Sequence, residues 1–297
     1  MRARPKLRLL ALALLAAATP ALPLRAAPET GGFTLAPETR TAAYKLSGAP
    51  SVVLHAPAGF DPKPPLHLVV FLHGFSGCVQ VLASAGSSRC RPGEPAREGW
   101  DLIGRHDAAG TNTLFVIPQL AYMKRDGRPG RFAQRGYFRR FLSELLSETL
   151  APQLGGARSL RDLGSLTLVA HSAGYEAALA ILQHGEVNEY VRAVVLMDAL
   201  YSETAAYARW LLSRAHADAR LLSLHIGRGD PARESRALLR RVRRAIGPKR
   251  ASEIELDALA DALGQKRLLV ARTRAAHRLV PEQHLAQVLA ALPLPRR

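Results

Sequence analysis

The stretch Ser165-Leu166-Thr167-Leu168-Val169-Ala170-His171-Ser172-Ala173-Gly174-Tyr175-Glu176-Ala177-Ala178-Leu179-Ala180-Ile181-Leu182 passes from one periodicity to another within a few residues. Residues 165–170 are a β-branched and apolar run broken only by the small Ser165 and Thr167, as expected for a strand covered on both faces. Residues 177–182 read as an apolar helix that Gly185 ends. Little chain separates the two, so strand and helix meet in a tight turn. Small residues flank Ser172 because that turn brings two backbones close together. A serine held there has its hydroxyl pushed out above the sheet, and the helix N-terminus behind it offers free N–H groups and a positive dipole end.

Working outward, residues 66–72, 113–117, 191–197, 220–226 and 266–271 repeat the apolar strand signature, and 51–56 is a shorter strand candidate. Helical patterns lie between them. Phe138, Phe141, Leu142, Leu145, Leu146 and Leu150 recur at helical spacing, and Leu238, Val242 and Ile246 mark another helix. Strands alternating with helices imply an α/β chain whose mostly parallel central sheet carries helices on both faces. Two long segments rich in Gly, Arg and Ser, 76–99 and 119–136, follow successive strand ends and are expected to rim a ligand crevice there.

A second motif, Phe71-Leu72-His73-Gly74-Phe75, also stands at a strand end. With Ala170-His171-Ser172-Ala173-Gly174 it resembles the α/β-hydrolase superfamily, whose nucleophile elbow reads G-x-S-x-G. Ala170 takes the place of the first glycine. The resemblance implies that Ser172 is a nucleophile, that the backbone N–H groups of Phe75 and Ala173 form an oxyanion hole, and that His73 and Gly74 belong to the pocket wall, with His73 structural. It implies a general base after the last strand. His277 stands there, before Val280-Pro281 and the helical run 282–292, and is preferred to His284 inside that run. The acid is open between Asp198, which ends an apolar strand, and Asp230, which also reads as a helix cap before Pro231; Asp198 is preferred. Trp100, Tyr122, Tyr175 and Tyr201 follow strand ends or the elbow as possible pocket lining, and His171 is expected to point away from Ser172. The implied chemistry is carboxylic ester cleavage through an acyl-enzyme, without a cofactor. Amide or peptide cleavage on the same residues is one alternative, and an inactive relative that binds an envelope component is another.

The chain's 297 residues and 48% hydrophobic content suit one large domain, placed at 51–297. Residues 1–27 read as a signal peptide: Arg2, Arg4, Lys6 and Arg8, a short apolar run, then small residues, with cleavage open after Ala18, Ala21 or Ala27. Residues 28–50 read as an N-terminal arm with room for an edge strand. Export to a periplasm or the medium makes a Cys78–Cys90 disulfide the expected use of the two cysteines. Their spacing lacks a matching His pair, and no H-E-x-x-H occurs, so no metal site is read. The formal charge of +17 favours loose attraction to anionic envelope surfaces. No aromatic-basic interleaving points to nucleic acid, and no membrane span is expected in the mature chain.

Overall fold

The computed structural model describes residues 31–123, 128–264 and 266–297. The signal peptide read at 1–27 lies outside the described residues. Among the described residues, nine strands form one sheet: β1 (Phe33–Leu35), β2 (Val52–Ala56), β3 (Leu66–Leu72), β4 (Leu114–Pro118), β5 (Leu163–His171), β6 (Val191–Met197), β7 (Arg220–His225), β8 (Ala251–Glu255) and β9 (Leu268–Arg272). Their order is β1-β2-β4-β3-β5-β6-β7-β9-β8. The β1/β2 and β2/β4 pairs are antiparallel, and every other pair is parallel.

Eight α-helices among the described residues cover this sheet: α1 (Val79–Ala83), α2 (Leu102–Ala108), α3 (Tyr137–Glu144), α4 (Tyr175–His184), α5 (Thr204–Leu212), α6 (Gly229–Ile246), α7 (Leu259–Ala262) and α8 (Val280–Ala291). Strand side chains alternate between the two faces. Leu68, Val70 and Leu72 of β3 therefore join a core with Phe138, Ile181, Tyr207 and Leu238 of α3 to α6. Val69 and Phe71 face the opposite way, into a core with Val79, Leu102, Leu259 and Val288 of α1, α2, α7 and α8. The runs read as continuous apolar segments because both faces of each strand are covered. Burial of each such Val or Leu stabilises the fold by about 2 kcal/mol.

Several elements carry no such run. In β8, Ser252, Glu253 and Glu255 interrupt the apolar pattern because the strand lies at the sheet's edge and is only partly covered. Helices α1, α2, α5 and α7 are short, and α1 lies inside the segment 76–99 expected to rim the crevice. The helix 138–150 continues past α3 as a π-helical stretch, Leu145–Leu150.

Cys78 and Cys90 are joined in a disulfide with Cα atoms 5.6 Å apart and a sequence separation of 12. In the chain-entropy account a loop of that size stabilises the fold by about 3 kcal/mol. Around it, Leu46, Ala49, Val81 and Tyr122 form a small cluster that ties the N-terminal arm to the segment after β3. No helix among the described residues is long and apolar enough to cross a membrane.

Candidate active site

Strands β3 and β5 are neighbours, with Leu72 opposite Ala170, so the turns that leave them lie side by side. Ser172 begins a single 3-10 turn, Ser172–Gly174, between β5 and α4. Its φ of 53° is in the left-handed region that costs a residue with a Cβ about 1 kcal/mol or more. Two glycines permit the packing. A Cβ on Gly174 would stand 2.1 Å from the Leu72 carbonyl oxygen, and one on Gly74 would stand 2.6 Å from Ser172 Cβ and 3.1 Å from the Ala173 nitrogen. The His73-Gly74-Phe75 turn thus abuts the backbone of Ser172 and Ala173.

Three side chains from distant elements converge at this point. His277 opens a 3-10 turn, His277–Leu279, between β9 and α8, and its Nε2 lies 3.0 Å from Ser172 Oγ. Its Nδ1 lies 2.6 Å from Asp198 Oδ2. Asp198 follows β6 with a φ of 48° and is buried. It is held there on both sides: its backbone N–H donates to the Leu224 carbonyl, and its Oδ1 accepts from the Ile226 N–H at 3.2 Å. An ionised carboxylate can only accept, so Nδ1–H of His277 donates to Asp198 and Nε2 is left to accept from the Ser172 hydroxyl.

The other candidates are placed elsewhere. Asp230 lies in the first turn of α6, where its exposed carboxylate accepts from Arg233 at 2.6 Å. His284, within α8, bonds Thr273 Oγ1 at 2.6 Å, and burial lowers its pKa. His73 is fully buried and donates from Nδ1 to the Gly74 carbonyl, while its Nε2 accepts from the Leu120 N–H at 2.9 Å. Burial lowers its pKa to about 4, so it pins the turn as a neutral ring.

A cleft of roughly 520 Å³ opens over Ser172, lined among others by Gly74, Phe75, Arg97, Trp100, His277 and Arg278. Segment 76–99 contributes Arg97 and Glu98 to it, whereas the described part of 119–136 does not reach it. Tyr175 and Tyr201 do not line this cleft; their rings pack 6.0 Å apart, and Tyr175 bonds Ser202 at 2.9 Å. Burial raises the pKa of the Tyr201 phenol.

His171 departs from the expectation that it points away. Its side chain lines the cleft, its ring lies 4.8 Å from that of His277 at 30°, and its Nε2 bonds the His277 carbonyl at 3.0 Å. Trp100 packs edge-on against its other side, with ring centroids 5.3 Å apart. Burial, reinforced by the neighbouring His277, lowers its pKa to about 3, so it is neutral and donates from Nε2. Nothing in a single pentapeptide signals this contact, because the partner ring arrives from a turn 106 residues later.

The same architecture occurs in solved structures. The chain is similar to a feruloyl esterase module from Clostridium thermocellum in complex with sinapinate, at 12% identity, covering 92% of this chain and 93% of that one, with a TM-score of 0.53. It is likewise similar to a structure named FAE, at 11% identity over 92% of each chain, with a TM-score of 0.52. The chain has the α/β-hydrolase fold. Ser172 stands in the turn between the central strand β5 and α4, and His277 stands in the turn after β9, the penultimate strand in the sheet order. No family model matches the sequence. No curated protein matches it either.

Proposed function

We propose that the protein is an exported serine hydrolase that cleaves carboxylic esters through an acyl-enzyme. The observation that carries this reading is the unbroken chain of contacts from Ser172 Oγ through His277 to Asp198 at the mouth of a cleft. Ser172 Oγ attacks the ester carbonyl while its proton passes to His277 Nε2. Negative charge gathers on the carbonyl oxygen and is met by the backbone N–H groups of Phe75 and Ala173, each such donor contributing about 3 kcal/mol. The C–O bond then breaks, and His277 returns the proton to the departing alcohol. Water, deprotonated by the same imidazole, attacks the acyl carbon and releases the acid, restoring the Ser172 hydroxyl. Asp198 orients the ring and stabilises the imidazolium without taking the proton.

The Trp100 ring and the half-exposed Phe75 offer apolar surface beside Ser172, which suits an ester of an aromatic or alkyl acid. Export is supported by the N-terminal leader pattern and by the disulfide. Covalent labelling with a fluorophosphonate probe tests the reading. Wild type should label and hydrolyse 4-nitrophenyl esters, and Ser172→Ala and His277→Ala should do neither. Labelling that survives Ser172→Ala overturns the assignment, and a wild type that neither labels nor turns over is a binding protein.

A further inference from the structure

We propose that His55, His106 and Asp107 form a binding site for one divalent transition-metal ion, of the kind that zinc represents. These residues share nothing with the cleft over Ser172. The strand and helix that carry them are brought together by the sheet. His55 on β2 is in register with Phe115 on β4, and the His106 ring of α2 stacks flat on Phe115 with centroids 4.8 Å apart and planes 8° from parallel. The two imidazoles consequently meet edge to face at 5.7 Å. One potential ligand atom from each of the three residues lies within 4.8 Å of the others, and His55 Nε2 is already 2.9 Å from Asp107 Oδ1.

The surroundings are those of a ligand set. A metal-bound imidazole is usually held by a hydrogen bond to its other nitrogen. His55 Nδ1 meets Thr34 Oγ1 at 2.9 Å, which leaves Nε2 toward Asp107. His106 Nε2 meets Thr113 Oγ1 at 2.8 Å, and that hydroxyl is itself bonded to Thr111 at 2.9 Å. The remaining nitrogen, His106 Nδ1, is buried and has no hydrogen-bond partner. A buried polar atom left in that state calls for a partner, and a bound cation is one that the neighbouring carboxylate favours.

The donor set decides the class of ion. Two imidazoles with one carboxylate suit zinc and its neighbours, whereas calcium and magnesium prefer oxygen alone. Three protein ligands leave a fourth position for water, and the Asp107 side chain is 41% exposed, which gives the ion a route in. Among the described residues, Arg297 reaches the site, where its side chain bonds the Asp107 carbonyl. An ion there would clamp β2 to α2 near the point where the C-terminal segment pairs with Thr111.

The test uses the full mature chain stripped by a chelator and titrated with Zn²⁺ and with Co²⁺. Wild type should take up one equivalent, show visible ligand-field bands with Co²⁺, and melt at a higher temperature when loaded. Since His106 is a core residue, the informative variants are Asp107→Asn and His55→Gln, compared with metal-free wild type by circular dichroism to establish that they fold. Each should bind at least about tenfold more weakly. Absence of a stoichiometric ion in wild type overturns the proposal, and so does unchanged affinity in both folded variants. Fluorophosphonate labelling at Ser172 is read separately and is expected to be the same with and without metal.

Discussion

Asp198 Oδ2 lies 2.6 Å from His277 Nδ1, linking the end of β6 to a turn 79 residues further along the chain. That bond selects the imidazole tautomer whose Nε2 can accept from Ser172. Asp198→Asn should therefore lower kcat on a 4-nitrophenyl ester by about 10³ to 10⁴. Asp230→Asn, which only removes an exposed pair with Arg233, should leave it within about twofold. Equal losses in the two variants would contradict the arrangement.

The close approach of Gly74 to Ser172 predicts a separation of folding from activity. In Gly74→Ala the added Cβ must displace Ser172 Cβ from a distance of 2.6 Å. We expect kcat/KM to fall by about 100-fold, since misplacement of about 1 Å at a reacting group has that effect. Full activity in a folded Gly74→Ala protein would show that the two turns are not as tightly apposed.

His171 lines the cleft and contacts His277, so on the proposed reading it should influence the reaction chiefly through that imidazole. His171→Phe keeps a ring beneath the imidazole and removes the 3.0 Å hydrogen bond to the His277 carbonyl. Loss of one such bond, about 1 kcal/mol, should reduce kcat by about fivefold with little change in KM. A variant that differs from wild type only in thermal stability would assign His171 to packing alone.

Acid should weaken the fold through its buried histidines. The pKa values of His73 and His171 are lowered to about 4 and about 3 by burial, against about 6.5 in an unfolded chain. Between those limits the unfolded state binds more protons, so stability is fully present above about pH 6.5 and drains as the pH falls. Each ring contributes a slope of about 1.4 kcal/mol per pH unit in that window. Urea midpoints measured at about pH 7.5 and about pH 5 should differ clearly, and His73→Gln, if folded, should flatten the dependence. Coincident midpoints would mean that these rings are hydrated.

Local periodicity was enough to read the central strands, because a strand covered on both faces is apolar along nearly its whole length, as in Leu66–Leu72, where only His67 interrupts the run. The elbow around Ser172 was legible for the same kind of reason: a strand, a tight turn and a helix follow one another without a gap. The edge strand β8 escaped notice, since Glu253 and Glu255 lie where the sheet ends and water begins. Side-chain direction was equally illegible for His171, whose partner ring comes from another part of the chain.

By itself, then, the sequence determined which segments could be covered by protein on two sides and where a serine would stand on a bend, because both properties belong to contiguous residues. The tertiary structure alone decided that Asp198 and not Asp230 meets His277, and that His55 lies beside His106. Those relations depend on strand order and register across the sheet, and such distances between remote residues are set only when the two cores close around it.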